Sequence, residues 1–297
     1  MESFELIRSN SSCGRVLGGA YLSLFLFPFV LSAQYSTPVF NTHEQSARSF
    51  GAAGAYTSFA DDSSAFNLNP AGLGRNLEER SLGASYRLYE KRRDFGLRAY
   101  VIDSKTENPL SWGFLFDWAR TREDWHQDYR LGLSFNYKNY LMIGSSSVMS
   151  RYATSTITTR NYWQYANDVG ALAFIGDMIA VGATLKNFVR TKAATVPYRL
   201  LGGASLNLQS LRLSIDAERN FTNRITIGRS GIELKPFQSF TLRGGGYFGR
   251  YQNSSTEKGY TLGASFAPAA RFSVDLGFHD RLKSDERSYV AGMNFRI

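Results

Sequence analysis

Apolar and polar residues alternate with a period of two from residue 78 to the end of this 297-residue chain. In LGLSFNYK (131–138), the first, third, fifth and seventh residues are large and apolar, whereas the others are small or polar. FSVDLGFH (272–279) repeats the pattern. Successive side chains of a β-strand point to opposite faces, so this alternation predicts an all-β chain.

The two faces of the predicted strands differ in a way that favours a membrane. A soluble β-sandwich or ligand-binding barrel, the alternative, would enclose the apolar face and expose the polar one. Here the polar face is too charged for a dry core, and the apolar face is too continuous for water. Lipid outside and a polar lumen inside satisfy both, which predicts a transmembrane antiparallel β-barrel. The charged residues assigned to the lumen are Arg87, Arg98, Asp117, Asp216, Glu218, Arg243, Asp275 and Arg296. The residues assigned to aromatic girdles are Tyr86, Tyr89, Trp112, Trp118, Tyr137, Tyr140, Tyr152, Tyr247, Tyr260 and Tyr289.

About fourteen strands are predicted, and their connections alternate in length. Short turns follow the even-numbered strands, and longer polar loops follow most odd-numbered ones, as at 121–128, 153–168, 190–197, 251–259 and 281–287. Outer-membrane barrels have short periplasmic turns and longer outer loops. We therefore place both termini of the barrel on the short-turn side. The predicted strands span residues 81–89, 94–102, 110–120, 128–138, 140–152, 169–175, 178–189, 198–208, 211–219, 225–234, 240–250, 259–267, 271–280 and 288–297.

Residues 1–33 have the pattern of a cleaved secretory signal peptide. Arg8 and Arg15 precede an uncharged apolar run, 16–31, and small Ala33 precedes the predicted cleavage point. A membrane anchor helix is the alternative, but the run is short and contains Gly18, Gly19 and Pro28. The one cysteine, Cys13, would be removed with the peptide. The predicted location is therefore the bacterial outer membrane.

The chain carries a formal net charge of +9. The positive charges are scattered along the sequence, and an exported protein ordinarily meets no nucleic acid. We expect outer-membrane lipid with anionic headgroups as their counterpart and no nucleic-acid partner. Charge that only keeps the strand ends soluble is an equally good explanation.

A segment unlike the rest precedes the strands. Residues 47–74, ARSFGAAGAYTSFADDSSAFNLNPAGLG, are rich in small residues. A fourteen-stranded barrel leaves a lumen to be filled, so we predict that residues 34–77 form a hatch in the lumen of a barrel spanning 78–297. Asp61 or Asp62 is expected to cap a short helix over 63–69. Pro70 and Gly72 are expected to turn the chain into the first strand.

The same segment resembles the N-terminal signature of the FadL-type outer-membrane transporter superfamily, including its smaller PorV/PorQ-like branch. The matching residues are Gly51, Gly54, Ala55, Asp61, Asp62, Ser64, Ala65, Asn69, Pro70, Ala71, Gly72 and Leu73. The resemblance implies a hatch in the lumen, with hydrophobic molecules such as long-chain fatty acids bound beside it in transporter members. It implies a platform for exported proteins in the secretion-linked branch. The short outer loops leave little room for the external capture groove of the large transporters, which favours the smaller branch.

Three functions remain open. Passive diffusion of a hydrophobic small molecule predicts an apolar cluster between hatch and wall, lined by Phe59, Phe66 and Leu68. A secretion or assembly platform predicts exported protein partners. A sealed structural barrel predicts neither.

Enzymatic chemistry is not expected. The histidines His43, His126 and His279 have no metal-ligand spacing. His279 has no evident serine partner in the sequence for a nucleophilic pair. We therefore predict no catalytic residue, no metal and no cofactor.

Overall fold

The computed structural model describes a closed antiparallel barrel of fourteen strands, β1–β14. It describes residues 44–75, 80–90, 94–104, 109–120, 124–154, 160–190, 197–251, 255–282 and 286–297. The predicted signal peptide, residues 1–33, lies outside the described residues. Two short helices, α1 (Ala47–Gly51) and α2 (Ala65–Leu68), and a 3₁₀ helix (Pro70–Arg75) precede the barrel.

The strands pair in chain order, and the barrel closes where β1 pairs with β14, from Ser81 opposite Arg296 to Tyr89 opposite Ser288. An all-β chain of this kind leaves no free sheet edge, as a membrane-spanning sheet requires. The bounds are β1 Arg80–Tyr89, β2 Asp94–Asp103, β3 Leu110–Arg120, β4 Asp124–Tyr137, β5 Leu141–Thr154, β6 Arg160–Ile175, β7 Ile179–Arg190, β8 Arg199–Leu208, β9 Leu211–Asn220, β10 Ile225–Phe237, β11 Phe240–Arg250, β12 Thr256–Ala269, β13 Phe272–Leu282 and β14 Glu286–Arg296.

The predicted strand count is confirmed, but several predicted outer loops are largely strand. β4 begins at Asp124 and β6 at Arg160, inside the segments 121–128 and 153–168 assigned to loops. The register between β4, β5 and β6 continues unbroken through these residues to Asp124 opposite Thr154 and Thr154 opposite Arg160. These residues were predicted as loops because they are polar. In the structure they pair across strands and extend the sheet beyond the apolar band.

The outward face is apolar and the lumen face is polar, as the alternation predicts. In β1, Leu82, Tyr86 and Leu88 are exposed, whereas Ser85 and Arg87 are buried. Such exposed apolar side chains on every strand form a lipid-facing band. Most predicted girdle aromatics, such as Trp112 and Tyr289, lie on it.

Four placements on the two faces were wrong. Tyr89 has the lumen parity of buried Arg87 at the end of β1. Tyr247 is only 4% exposed, and its hydroxyl lies 2.9 Å from Nε2 of His279 in the lumen. Tyr152 has the lumen parity of buried Ser150 and stacks on His126. Arg296 is exposed at the end of β14 rather than buried in the lumen. Near strand ends and aromatic pairs, the sequence alternation did not show clearly which residues face the lumen and which face lipid.

Buried charges in the lumen are paired across strands. Asp117 on β3 accepts from Arg87 on β1 at 3.3 Å and from Nε of Arg98 on β2 at 3.1 Å. On the other side of the barrel, Glu218 pairs with Arg199 and Arg229, and Glu233 pairs with Arg212 and Arg243. Charges buried in this way are tolerated only when they are paired. The lumen wall is therefore a cross-linked polar lining.

Among the described residues, no helix is long and apolar enough to cross a membrane.

Replacing Asp117 with Asn should destabilise the barrel by about 3–5 kcal/mol, because two buried guanidinium groups lose their shared counter-charge. Urea unfolding from lipid vesicles measures the change. The matched control is Asp103→Asn, which disrupts the pair with Arg80, whose side chain is 58% exposed at the rim; it should cost less than about 1 kcal/mol. Equal losses in the two variants would contradict a buried ion pair that matters for stability.

Candidate functional site

Residues 44–75, the described part of the hatch, are enclosed by the barrel wall. All of them are buried except Arg48, Asp61 and Arg75, which are partly exposed. The 3₁₀ helix contacts strands β3 to β6, whereas α1 contacts β11 to β14. The segment therefore spans the lumen from one side of the wall to the other.

Local hydrogen bonds explain why the hatch folds into short helices. Ser46 caps α1, and its side chain accepts from the backbone N–H of Ser49 at 3.1 Å in a reciprocal capping box. The hydroxyl of Ser46 also donates to Asp62 at 2.6 Å, which ties α1 to the turn before α2. These hydrogen bonds join residues of the hatch to one another and do not involve the barrel wall.

The expected aspartate cap of the second helix is wrong. The N-cap of α2 is Ser64, with no side-chain capping hydrogen bond. Asp62 instead accepts from the backbone N–H of Ser64 at 2.8 Å and so forms the turn before the helix. Asp61 forms an ion pair of 3.2 Å with Arg48.

Paired glycines in the wall make room for the hatch backbone. These glycines sit opposite each other on neighbouring strands and point into the lumen: Gly113–Gly132, Gly144–Gly170, Gly182–Gly203, Gly231–Gly245 and Gly263–Gly277. A Cβ added at Gly263 would lie 2.8 Å from Cα of Gly51, and one at Gly245 would lie 2.6 Å from the carbonyl carbon of Ala52. A wall with side chains at these positions could not admit the hatch.

The Asn69–Leu73 motif docks the hatch against β4, β5 and β6. The side-chain amide of Asn69 donates to the carbonyls of Thr57 at 2.8 Å and Ala171 at 2.9 Å. Ser134 donates to the carbonyl of Ala71 at 2.9 Å. Pro70 lies directly over Gly144.

The other motif residues also serve docking and turning. A Cβ on Gly72 would overlap the carbonyl oxygen of Ala60, so only glycine fits there. Gly54 has a φ of 71°, a conformation that glycine adopts without strain. The carbonyl of Gly51 accepts from Thr261 at 2.9 Å, and Leu73 packs over Gly132. The motif signals a seated hatch and contains no evident catalytic group.

Phe59, Phe66 and Leu68 lie together in an apolar cluster between the hatch and the wall. All three are at most 2% exposed, and Ile102, Leu115 and Leu201 are the wall residues of the same cluster. The ring of Phe66 fills the space over Gly113 and Gly132. The ring of Phe59 lies under the guanidinium groups of Arg75 at 3.8 Å and Arg212 at 2.9 Å.

Glu44 fixes the start of the described hatch, an anchor that the sequence did not indicate. Its carboxylate lies 2.9 Å from Nζ of Lys186 and 3.1 Å from Nη1 of Arg199. Burial alone would raise the pKa of Glu44, but the charges of Arg199 and Lys186 outweigh burial and hold the pKa well below the usual range of a carboxyl. Asp216 gives a second anchor by accepting from the backbone N–H of Thr57 at 2.8 Å.

The structure gives His279 a serine partner that sequence reasoning missed. Nδ1 of His279 lies 3.1 Å from Oγ of Ser288, and Nε2 lies beside Tyr247. Phe50 packs edge-on against the ring of His279, with 6.0 Å between ring centroids. His126 is in β4 rather than in a loop, and His43 lies outside the described residues.

Within the described ranges no group of His, Cys, Asp and Glu is placed to hold a metal ion.

Two cavities are present near the β1–β14 seam. A groove of about 440 Å³ lies on the outer face among Tyr86, Leu262, Leu276 and Tyr289. A gap of about 20 Å³ lies between hatch residues Ser46 and Asp62 and the wall. Neither cavity is lined by Phe59, Phe66 or Leu68.

These features define a transmembrane β-barrel whose lumen is filled by a segment preceding the first strand. Solved barrels of the same fold include the monoaromatic hydrocarbon channel CymD, with 12% identity, a TM-score of 0.67 and coverage of 84% of this chain and 96% of that one. The Ralstonia pickettii toluene transporter TbuX gives 13% identity, a TM-score of 0.66 and coverage of 87% and 100%. A Pseudomonas aeruginosa FadL homologue has 11% sequence identity and a TM-score of 0.62, with coverage of 88% of this chain and 97% of that one. At these identities the likeness concerns the fold. No family model and no curated protein matches the sequence.

Replacing Gly72 with Ala should prevent the hatch from seating, because the added methyl group overlaps a backbone carbonyl that cannot move alone. We expect a loss of about 1–3 kcal/mol or more, measured as earlier thermal unfolding in detergent and faster proteolysis within 44–75. The matched control is Gly228→Ala, where an added Cβ meets nothing within 4 Å. Similar behaviour of the two variants would contradict a tightly seated motif.

Replacing Glu44 with Gln should loosen the start of the hatch, because Lys186 and Arg199 lose a buried counter-charge. The expected cost is about 3 kcal/mol. A depressed carboxyl pKa stabilises the folded state fully above the unfolded value of about 4.3, and this contribution is lost as the pH falls below it. The difference between wild type and variant should therefore be constant from pH 8 to pH 5 and shrink in stronger acid.

Thermal unfolding across this pH range measures the effect of Glu44. Glu90→Gln is the control, because Glu90 is half exposed and lies 4.0 Å from Arg287. A difference between wild type and Glu44→Gln that vanished already between pH 7 and pH 5 would show that the carboxyl is not held ionised by its two partners.

Proposed function

We propose that the protein is an outer-membrane barrel that admits a small hydrophobic molecule past the hatch. The observation that carries the proposal is the apolar cluster around Phe66, which joins the hatch to the walls of β2, β3 and β8. Much of the rest of the described lumen wall carries paired charges, which are unfavourable neighbours for an apolar solute. Two smaller apolar clusters lie around Phe50 and Ala71 of the hatch. Movement of the hatch away from Ile102 and Leu115 would expose apolar side chains on the neighbouring strands β2 and β3.

The fold neighbours support a hydrophobic solute. CymD is a monoaromatic hydrocarbon channel, and TbuX is a toluene transporter. A monoaromatic hydrocarbon has about the size of the Phe66 ring that occupies the cluster. We therefore propose a compound of this size, with a longer acyl chain as the second candidate.

Hatch movement is part of the proposal, because the hatch fills the lumen between the wall glycines. The anchors at Glu44 and Asp216 hold it by ion pairs and a hydrogen bond, and such contacts can break and form again. The signal peptide at 1–33 and kinship with the PorV/PorQ-like branch are retained as proposals. A platform for exported proteins remains the competing function.

A disulfide that locks the hatch tests this function. A Cβ at Gly292 would lie 3.2 Å from Cβ of Ala47. A small outward shift of the two Cβ atoms brings them to the separation of about 3.5–4.5 Å that a disulfide requires. We expect bacteria that produce the wild-type barrel to take up labelled toluene several-fold faster than cells without it. The oxidised Ala47→Cys/Gly292→Cys variant should lower uptake to background, and reduction should restore it.

Each single-cysteine variant is the control for the lock and should transport like wild type under both conditions. Uptake equal to that of cells lacking the barrel would overturn the proposal. A stoichiometric protein partner recovered with the wild-type barrel in that case would favour the platform function.

A further inference from the structure

An arginine on the outer face of the barrel lies between two tryptophans. Cζ of Arg151 on β5 is 5.1 Å from the ring centroid of Trp125 and 5.8 Å from that of Trp163. Trp163 is directly opposite Arg151 in the β5–β6 register. Met149, two residues earlier on the same face, is 50% exposed. The guanidinium group therefore belongs to the lipid-facing side, near the outer ends of these strands.

Arg151 differs from two arginines near the barrel rim, Arg80 and Arg287. Arg80 pairs with Asp103, and Arg287 lies near Glu90 and Asp280. Among the side chains that the structure describes, no ion pair of Arg151 is present, and its buried Nε has no hydrogen-bond partner. A cation held between aromatic faces keeps its charge available to an anion.

Polar side chains continue inward from Arg151 along the same face. Nδ2 of Asn167 donates to Oγ of Ser147 at 2.7 Å, and Ser145 donates to Oδ1 of Asn167 at 3.2 Å. The hydroxyl of Tyr165 lies 3.5 Å from Ser147. Polar groups facing hydrocarbon are costly and often mark functional contacts. This strip lies among apolar residues such as Leu131 and Ile143 on neighbouring outward positions.

We propose that the outer ends of β4–β6 bind one phosphate-bearing membrane lipid. The phosphate binds Arg151 between the two indole rings. Ser147 is four residues from Arg151, about 13 Å along the strand and about 9 Å in depth at a typical tilt of about 45°. The hydroxyls of Ser147 and Tyr165 therefore meet the oxygen-rich linkages between headgroup and acyl chains. Charge complementarity and the polar strip together favour a lipid over an apolar protein surface.

Native mass spectrometry of the delipidated barrel with added phosphatidylglycerol tests the site. Wild type should retain one tightly bound lipid. Arg151→Gln should bind it about fivefold more weakly, the effect of one cation at a membrane surface. Arg151→Lys should be intermediate, because it keeps the charge but loses the planar stacking. Asn167→Val should also weaken binding while leaving Arg151 in place.

Arg219→Gln is the matched control, because Arg219 is an exposed outward arginine on β9 that hydrogen-bonds Thr226; it should bind lipid like wild type. Equal retention by Arg151→Gln and wild type would overturn the proposal. Displacement of the lipid by millimolar inorganic phosphate would show a free-anion site and overturn the lipid assignment. Arg151-dependent association into dimers, with no lipid retained, would assign this face to a second copy instead.

Discussion

Backbone contact between the hatch and the glycine pairs of the wall is the constraint on which the lumen depends. A closed barrel of fourteen strands encloses more space than its own inward side chains fill. Where two glycines face each other on neighbouring strands, no side chain projects from the wall at either position. Gly144 and Gly170 leave such a space, which Pro70 and Asn69 fill. The hatch then packs as closely as a protein interior, without a helix or sheet of its own large enough to be stable alone.

The charges of the lumen are compatible with this packing because they are paired within the wall. Asp117, Glu218 and Glu233 each serve two arginines. Glu44 extends the pairing to the hatch through Lys186 and Arg199. The wall pairs of Asp117, Glu218 and Glu233 do not depend on the hatch, whereas Lys186 depends on Glu44 for its counter-charge. The apolar cluster around Phe66 includes hatch residues on both sides of α2, from Ala52 to Leu73, whereas Glu44 lies before α1.

Much of the fold followed from the sequence, whereas the site followed only in part. Two predicted strands, 110–120 and 240–250, have the bounds that the structure gives. The strands β4 and β6 were predicted too short, because polar residues beyond the apolar band pair across the sheet without a hydrophobic signal. Residues of the Asn69–Leu73 motif were identified, but their partners were not. The sequence around Gly113 and Gly132 does not indicate that the ring of Phe66 fills the space beside them.

The sequence by itself determined the class of protein. Period-two alternation with a charged face and an apolar face has one stable solution in a membrane, a closed barrel, because every backbone group must then bond within the sheet. Tertiary structure decided the specific contacts. These are the glycine pairs of the wall, the ion pairs of Glu44, the contact between Ser288 and His279, and the position of Arg151 between two indole rings. These contacts join residues far apart in the chain or on separate strands. They depend on register and closure, which side-chain patterning along one strand cannot specify.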